Sequence, residues 1–277
     1  MRFGHVLVVG AGQMGGGISQ VVAASGRRVS LHDPLPGATE RALETMGKSL
    51  GKLAEKDPAL DPESVLDRVE PVGELVDAEL MVEAAVEDAA VKKEVFRRAD
   101  EALRSDAILA SNTSSIPIAS LADATRRPDR VIGMHFFNPV PVMKLVEVVR
   151  APATSDDTAA AVVALARELG KTPAEANDFP GFVSNRILMP FVNEAVWALY
   201  QGVAEPEAID TIASLGFNHP MGPLALADLI GLDTCVSIME VLREGLDDPR
   251  FDPCPLLREH VAAGRLGRKS GRGFYIY

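Results

Sequence analysis

A chain of 277 residues with 47% hydrophobic and 24% charged side chains has room for one or two soluble domains with a real core. A net charge of −11 argues against nucleic acid or an anionic membrane as the main partner, although a local cationic patch can still hold an anionic ligand. The two cysteines, Cys235 and Cys254, offer neither a disulfide framework nor metal-ligand spacing, so no metal is expected and a reducing, cytoplasmic setting is.

The first element expected is a buried parallel strand over His5–Gly10, which is short and apolar. It runs into Gly10-Ala11-Gly12-Gln13-Met14-Gly15 and then a helical stretch to about Ser25. Glycines at these positions allow a tight turn and let backbone N–H groups approach a pyrophosphate at the helix N-terminus. A second strand, Arg28–His32, delivers Asp33, 18 residues past Gly15. A carboxylate there accepts hydrogen bonds from ribose hydroxyls and repels a 2′-phosphate, so the ligand expected is NAD rather than NADP. The uncharged run from His5 to Gly26 therefore reads as strand, turn and helix, not as a membrane span, and it starts too close to Met1 for a signal peptide.

A helix follows over Gly37–Lys56. On it Lys48, Lys52 and Lys56 recur every four residues along one face. They form either a solvated stripe with local pairs such as Glu44–Lys48 or a cationic track for a phosphorylated ligand other than the dinucleotide. Leu80–Val86 reads as another buried strand, with Glu87 and Asp88 opening a helix to about Leu103. Those acids complement the helix dipole or face a ligand beyond the carboxyl end of the strand. The strand Ala107–Ala110 ends in Ser111-Asn112-Thr113-Ser114-Ser115, more short polar side chains than one helix cap requires. They serve as caps or orient a substrate oxygen near the nicotinamide.

Val131–Phe137 and Lys144–Val149 both read as strands, and Pro139 and Pro141 mark the turn between them. The midpoint of positions 135 and 147 falls on Pro141, so folding back around that turn brings His135 opposite Glu147. A carboxylate beside an imidazole fixes the ring and favours its protonated form, which is how a general base is commonly built. A further helix is expected over Thr154–Gly170 and a short strand over Lys171–Ala176. At Asp178-Phe179-Pro180-Gly181 the chain breaks, with Pro180 near the start of a new helix. Beyond it the pattern is helical, over Phe182–Gln201, Glu205–Ser214, Pro223–Glu244 and Pro255–Ala263. The expected division is a Rossmann-type domain over 1–180 and an all-α domain over 181–277, an α/β fold with a doubly wound, mostly parallel sheet. Asn185, early in the apolar 182–201 helix, needs a hydrogen-bond partner, which substrate, His135 or nearby backbone can supply. His219 reads as structural.

Taken together these segments resemble the 3-hydroxyacyl-CoA dehydrogenase family. The match runs through Gly10–Gly15, Ser111–Ser115, His135-Phe136-Phe137-Asn138-Pro139, Pro180-Gly181-Phe182-Val183-Ser184-Asn185-Arg186, Asn218–Pro223 and Gly267-Arg268-Lys269-Ser270-Gly271-Arg272-Gly273-Phe274-Tyr275. It spans essentially the whole chain in order, and is closest in kind to the short bacterial 3-hydroxybutyryl-CoA dehydrogenase type. The resemblance implies His135 as base, Glu147 as its orienting acid, Ser114 at the substrate oxygen and Asn185 near the reacting centre. It implies NAD contacts at Asp33, Glu87, Lys92, Asn138 and Lys269, and acyl-CoA contacts at Ser49 and Lys56, on the helix that also carries Lys52. A homodimer through the helical domain is implied as well. Three alternatives stay open: an acyl-carrier-protein thioester or a free sugar acid as substrate, a lysine-dependent β-hydroxyacid dehydrogenase, and a non-catalytic dinucleotide-binding protein.

Overall fold

In a computed structural model, which describes residues 3–277, the first apolar run forms β1 (His5–Val9). Val6, Leu7 and Val8 are fully buried there because the strand is covered on both faces. α1 (Gln13–Ala24) leads to β2 (Arg28–His32), which pairs in parallel with β1 from His5↔Arg28 to Val9↔His32. α2 (Ala38–Ala54) and α3 (Pro62–Leu66) then bring the chain to β3 (Val69–Val72), a parallel edge strand beside β2. From there it crosses to the other side of β1 as β4 (Leu80–Glu83) and continues through α4 (Ala89–Ala102), β5 (Ile108–Ser111), α5 (Ile118–Ala122) and β6 (Val131–Phe136). β7 (Leu145–Arg150) turns back antiparallel to β6, and α6 (Asp156–Glu168) precedes β8 (Thr172–Asn177), parallel to β7.

The resulting eight-stranded sheet has the order β3-β2-β1-β4-β5-β6-β7-β8, the doubly wound, mostly parallel arrangement expected. Strand order reverses between β1 and β4, which opens a crevice beyond their carboxyl ends. Val6, Leu31, Leu80, Ile108 and Ile132 of the sheet share a core with Ile18 and Val22 of α1, Met46 and Leu50 of α2, and Val162 of α6. Asp178 closes this unit by accepting hydrogen bonds from Ile118 N at 3.0 Å and Ala119 N at 2.7 Å, the first free amides of α5.

The chain divides between Asp178 and Phe179. The second unit is helical, with α7 (Ser184–Tyr200), α8 (Pro206–Thr211) running into a π-turn at Ile212–Gly216, α9 (Pro223–Ile230), α10 (Leu232–Leu246) and α11 (Pro255–Ala262). Met189, Val192, Leu224, Leu232, Met239 and Leu257 form its own core. Two expectations need correction here. The helix expected over Pro223–Glu244 is two helices, because Gly231 at φ 102° takes a conformation that ends α9 and redirects α10. The helix expected over Phe182–Gln201, with Pro180 near its start, begins at Ser184, after Gly181 and Phe182 both adopt positive φ. Among the described residues, no helix is long and apolar enough to cross a membrane.

Candidate active site

At the mouth of the crevice, β1 ends in Gly10 at φ 103°, where a Cβ would lie 2.4 Å from the Ala84 carbonyl oxygen at the end of β4. A Cβ at Gly15 would lie 1.7 Å from the Gly10 oxygen. Only hydrogen fits at either place, so the glycines press the start of α1 against the two central strands. Asp33 follows β2 and closes the turn from the far side. Its Oδ2 accepts from Ala11 N at 2.7 Å and its Oδ1 from Leu35 N at 2.9 Å. A cleft of about 570 Å³ opens here, lined among others by Gly12, Gln13, Asp33, Arg41, Ser49 and Asn138. Ser49 therefore lies on the same cleft as Asp33. Lys52 sits in the last turn of α2, Lys56 lies past its end, and both are exposed. Lys48 forms the local pair with Glu44 at 2.6 Å.

Across the sheet, the β6–β7 register pairs His135 directly with Glu147, as a turn centred on Pro141 predicts. Both side chains are buried. His135 Nδ1 lies 3.0 Å from Glu147 Oε2, and Nε2 lies 3.1 Å from Ser114 Oγ. The Phe137 ring packs against the imidazole, with centroids 4.7 Å apart. The turn itself is held by Lys171, whose ammonium donates to the Val140 and Met143 carbonyls at 2.5 and 2.8 Å. Burial pushes that ammonium below its ordinary pKa. Asn112 Oδ1 accepts from Phe136 N at 2.8 Å, tying the loop after β5 to the strand that carries His135.

Beneath Ser114 lies a polar network that only the fold assembles. Glu87 Oε1 accepts from Thr113 Oγ1 at 2.6 Å, Ser114 N at 2.9 Å, Ser115 N at 3.1 Å and Ser115 Oγ at 3.0 Å. Desolvation works against this carboxylate, but the Lys92 ammonium and the Thr113, Ser114 and Ser115 donors outweigh it and hold its pKa below the usual glutamate value. Lys92, on α4, is 1% exposed and lies 2.6 Å from Glu83 Oε1 and 3.3 Å from Glu87 Oε2. Glu83, at the end of β4, belongs to this network and was missed by sequence reasoning. A glutamate closing a short apolar strand carries no pattern of its own, and its partner stands nine residues on in a helix.

In the second unit, Asn185 is buried on the first turn of α7, and its backbone N–H donates to the Gly181 oxygen at 3.1 Å. Lys269 pairs with Asp233 at 2.6 Å. The Gly-Phe-Tyr run that follows is latched by Asp228, which accepts from Phe274 N at 3.0 Å and Tyr275 N at 2.9 Å. Among the described residues, no group of three or more His, Cys, Asp or Glu side chains could hold a metal ion.

Residues 5–179 match the family described as 3-hydroxyacyl-CoA dehydrogenase, NAD binding domain, and residues 181–277 match its C-terminal domain. The chain belongs to the 3-hydroxyacyl-CoA dehydrogenase family. A probable 3-hydroxybutyryl-CoA dehydrogenase of Bacillus subtilis is 55% identical, with 100% of this chain and 98% of that protein covered. One of Deinococcus radiodurans is 57% identical with 100% of both covered. A crystal structure of (S)-3-hydroxybutyryl-CoA dehydrogenase from Ralstonia eutropha superposes with a TM-score of 0.95 at 47% identity, covering 100% of this chain and 99% of that one. NAD, as the cofactor of a 3-hydroxyacyl-CoA dehydrogenase, fits the residues present. A Cβ at Gly12 would meet nothing within 4 Å, and α1 opens with no acidic residue in its first turn and no side-chain cap. Its first amides are thus left to an anion such as a pyrophosphate.

Proposed function

We propose that the chain oxidises short (3S)-3-hydroxyacyl-CoA thioesters, such as 3-hydroxybutyryl-CoA, reversibly to the 3-oxoacyl-CoA, with His135 as the base. Family membership supplies the reaction class, NAD-dependent oxidation of 3-hydroxyacyl-CoA. The observation that carries the residue assignment is the buried relay from Ser114 through His135 to Glu147.

An ionised Glu147 can only accept, so its partner Nδ1 carries the ring proton and Nε2 keeps its lone pair. That lone pair takes the hydroxyl proton of the substrate, and Glu147 stabilises the imidazolium that forms. Ser114 Oγ, already at Nε2, is placed to hydrogen-bond the same substrate oxygen. Asn185 is assigned to the reacting centre by the family resemblance. When bound, NAD supplies the hydride acceptor. Gly10, Ala11, Gly12, Gln13, Met14 and Gly15 hold its pyrophosphate, Asp33 its adenosine ribose, and Glu87, Lys92, Asn138 and Lys269 its remaining contacts. Ser49, Lys52 and Lys56 bind the CoA moiety. Residues 1–180 form the main cofactor-binding domain, and 181–277 serve as the substrate and dimerisation domain. The buried thiols Cys235 and Cys254 suit a cytoplasmic location.

His135→Gln removes the base while keeping the side chain polar. Turnover of acetoacetyl-CoA with NADH should fall roughly 10²–10⁴-fold, with NADH binding retained in a fluorescence titration. Near-wild-type turnover with intact NADH binding sinks the assignment.

A further inference from the structure

We propose that Glu83 is a positioning residue for the dehydrogenation, acting through Lys92 and Glu87 to fix Ser114 against His135. This rests on the roles of Ser114 and His135 given above.

Glu83 and Ser111 end adjacent parallel strands and stand in register, each at the carboxyl end of its strand. Both are fully buried. Glu83 Oε2 accepts from Ser111 Oγ at 2.6 Å, and Ser111 Oγ in turn accepts from Thr113 N at 3.1 Å. Glu83 Oε1 takes both Lys92 Nζ and Ala85 N at 2.6 Å. Lys92 also donates to the Ala85 carbonyl at 3.2 Å, so the loop after β4 is gripped at both its N–H and its C=O. The ammonium that Glu83 fixes faces Glu87 at 3.3 Å, and one oxygen of Glu87 gathers four donors from Thr113, Ser114 and Ser115. The chain of bonds ends on the Ser114 backbone N–H, and the hydroxyl of that residue lies 3.1 Å from His135 Nε2.

A carboxylate and an ammonium taken fully out of water are a costly way to hold two strands that are already paired; an apolar pair of similar volume does that at least as well. What a satisfied buried network adds is a single arrangement of the groups bonded to it. Here those groups are the two loops at the carboxyl ends of the central strands, where ligands of such sheets bind. A serine hydroxyl that drifts by an ångström from the imidazole loses most of its value in the transition state.

The test is a double-mutant cycle on acetoacetyl-CoA reduction by NADH, with wild type, Glu83→Gln, Ser114→Ala and the double variant. Glu83→Gln keeps the shape, removes the charge that pairs with Lys92 and reverses the bond to Ser111. It should lower kcat by about 10-fold or more and weaken NADH, titrated by fluorescence, by a smaller factor. In the Ser114→Ala background the same change should cost less than about 3-fold, because groups that act through one another are not additive. Full additivity overturns the proposal, since Glu83 then acts elsewhere. A loss confined to NADH affinity with kcat unchanged also overturns it. If Glu83→Gln does not fold, Glu83→Asp takes its place in the cycle. It keeps the charge and draws the carboxylate back from Lys92 by one methylene, and the same outcomes decide. Wild-type turnover by Ser114→Ala would remove the reading of Ser114 and this proposal with it. An impaired Ser114→Ala that does not couple to Glu83 removes this proposal alone.

Discussion

In the proposed site Asp33 would perform two tasks with one carboxylate, closing the turn and holding the ribose. Its Oδ2 and Oδ1 each accept a backbone amide, from Ala11 and Leu35. Each oxygen retains room for a further donor, which is what a pair of ribose hydroxyls needs. The charge left over repels a 2′-phosphate. Asp33→Asn keeps the shape and removes that charge, so the ratio of kcat/KM with NADH to that with NADPH should fall by about 10-fold or more. Any loosening of the turn affects both cofactors and cancels in the ratio; an unchanged ratio contradicts the assignment. Asp33 was legible because strand, glycines, helix, strand and acid follow each other at fixed spacing. The pairing of His135 with Glu147 was legible because two prolines locate one turn and register follows from it. The pairing of Glu83 with Lys92 was not. It depends on how α4 lies against the strand before it, which no local pattern records.

Elements are held by the same kind of bond. The end of α4 is fastened to the segment after α5 by Asp100, which accepts from Arg126 Nε at 2.8 Å and Arg127 Nε at 2.7 Å. Burial acts to raise the Asp100 pKa, but the two guanidinium bonds outweigh it and hold the carboxyl below its ordinary value of 3.8. A folded value below the unfolded one means that the stabilisation is fully present above 3.8 and fades as pH falls through the lower folded value. Asp100→Asn should therefore lower unfolding stability by about 1–3 kcal/mol at pH 7, chiefly through Arg127, since Arg126 is largely exposed. Denaturant melts of both proteins should converge as the pH is taken below 3.8, and a gap that persists unchanged in acid contradicts this reading. The buried strands of the sheet were readable as apolar runs; of the two edge strands β8 was expected although it carries Pro173 and Glu175, and β3 was not. Val69-Glu70-Pro71-Val72 carries a charge and a proline and pairs on one side only, the setting in which a strand looks like a loop. The split between α9 and α10 was hidden because the hydrophobic pattern continues across Gly231 and only its backbone angle interrupts the helix.

At the scale of the molecule, the fold class was readable because strands alternate with helices up to about residue 177 and only helices follow. Assembly is a matter of surface. The second unit leaves Ile212, Leu215, Phe217, Leu229 and Ile276 exposed, with Leu215 and Ile276 each at 82%. Leu215, Ile276 and Tyr277 line one open hollow of about 590 Å³ together with Ala225 and Arg268. Apolar side chains concentrated in this way suit a surface covered by a partner, and the cover proposed is a second copy of the chain, as the family resemblance implies. A self-complementary patch on a two-fold axis contains each leucine twice, once from each copy, so one substitution removes two contacts. The protein should accordingly sediment at twice its chain mass of 29.5 kDa. Leu215→Asp places two carboxylates in that apolar contact and should shift the species to monomer, with the concentration dependence of the wild-type melting temperature lost. A wild-type monomer at micromolar concentration removes the dimer. A Leu215→Asp protein that remains dimeric moves the interface off this face.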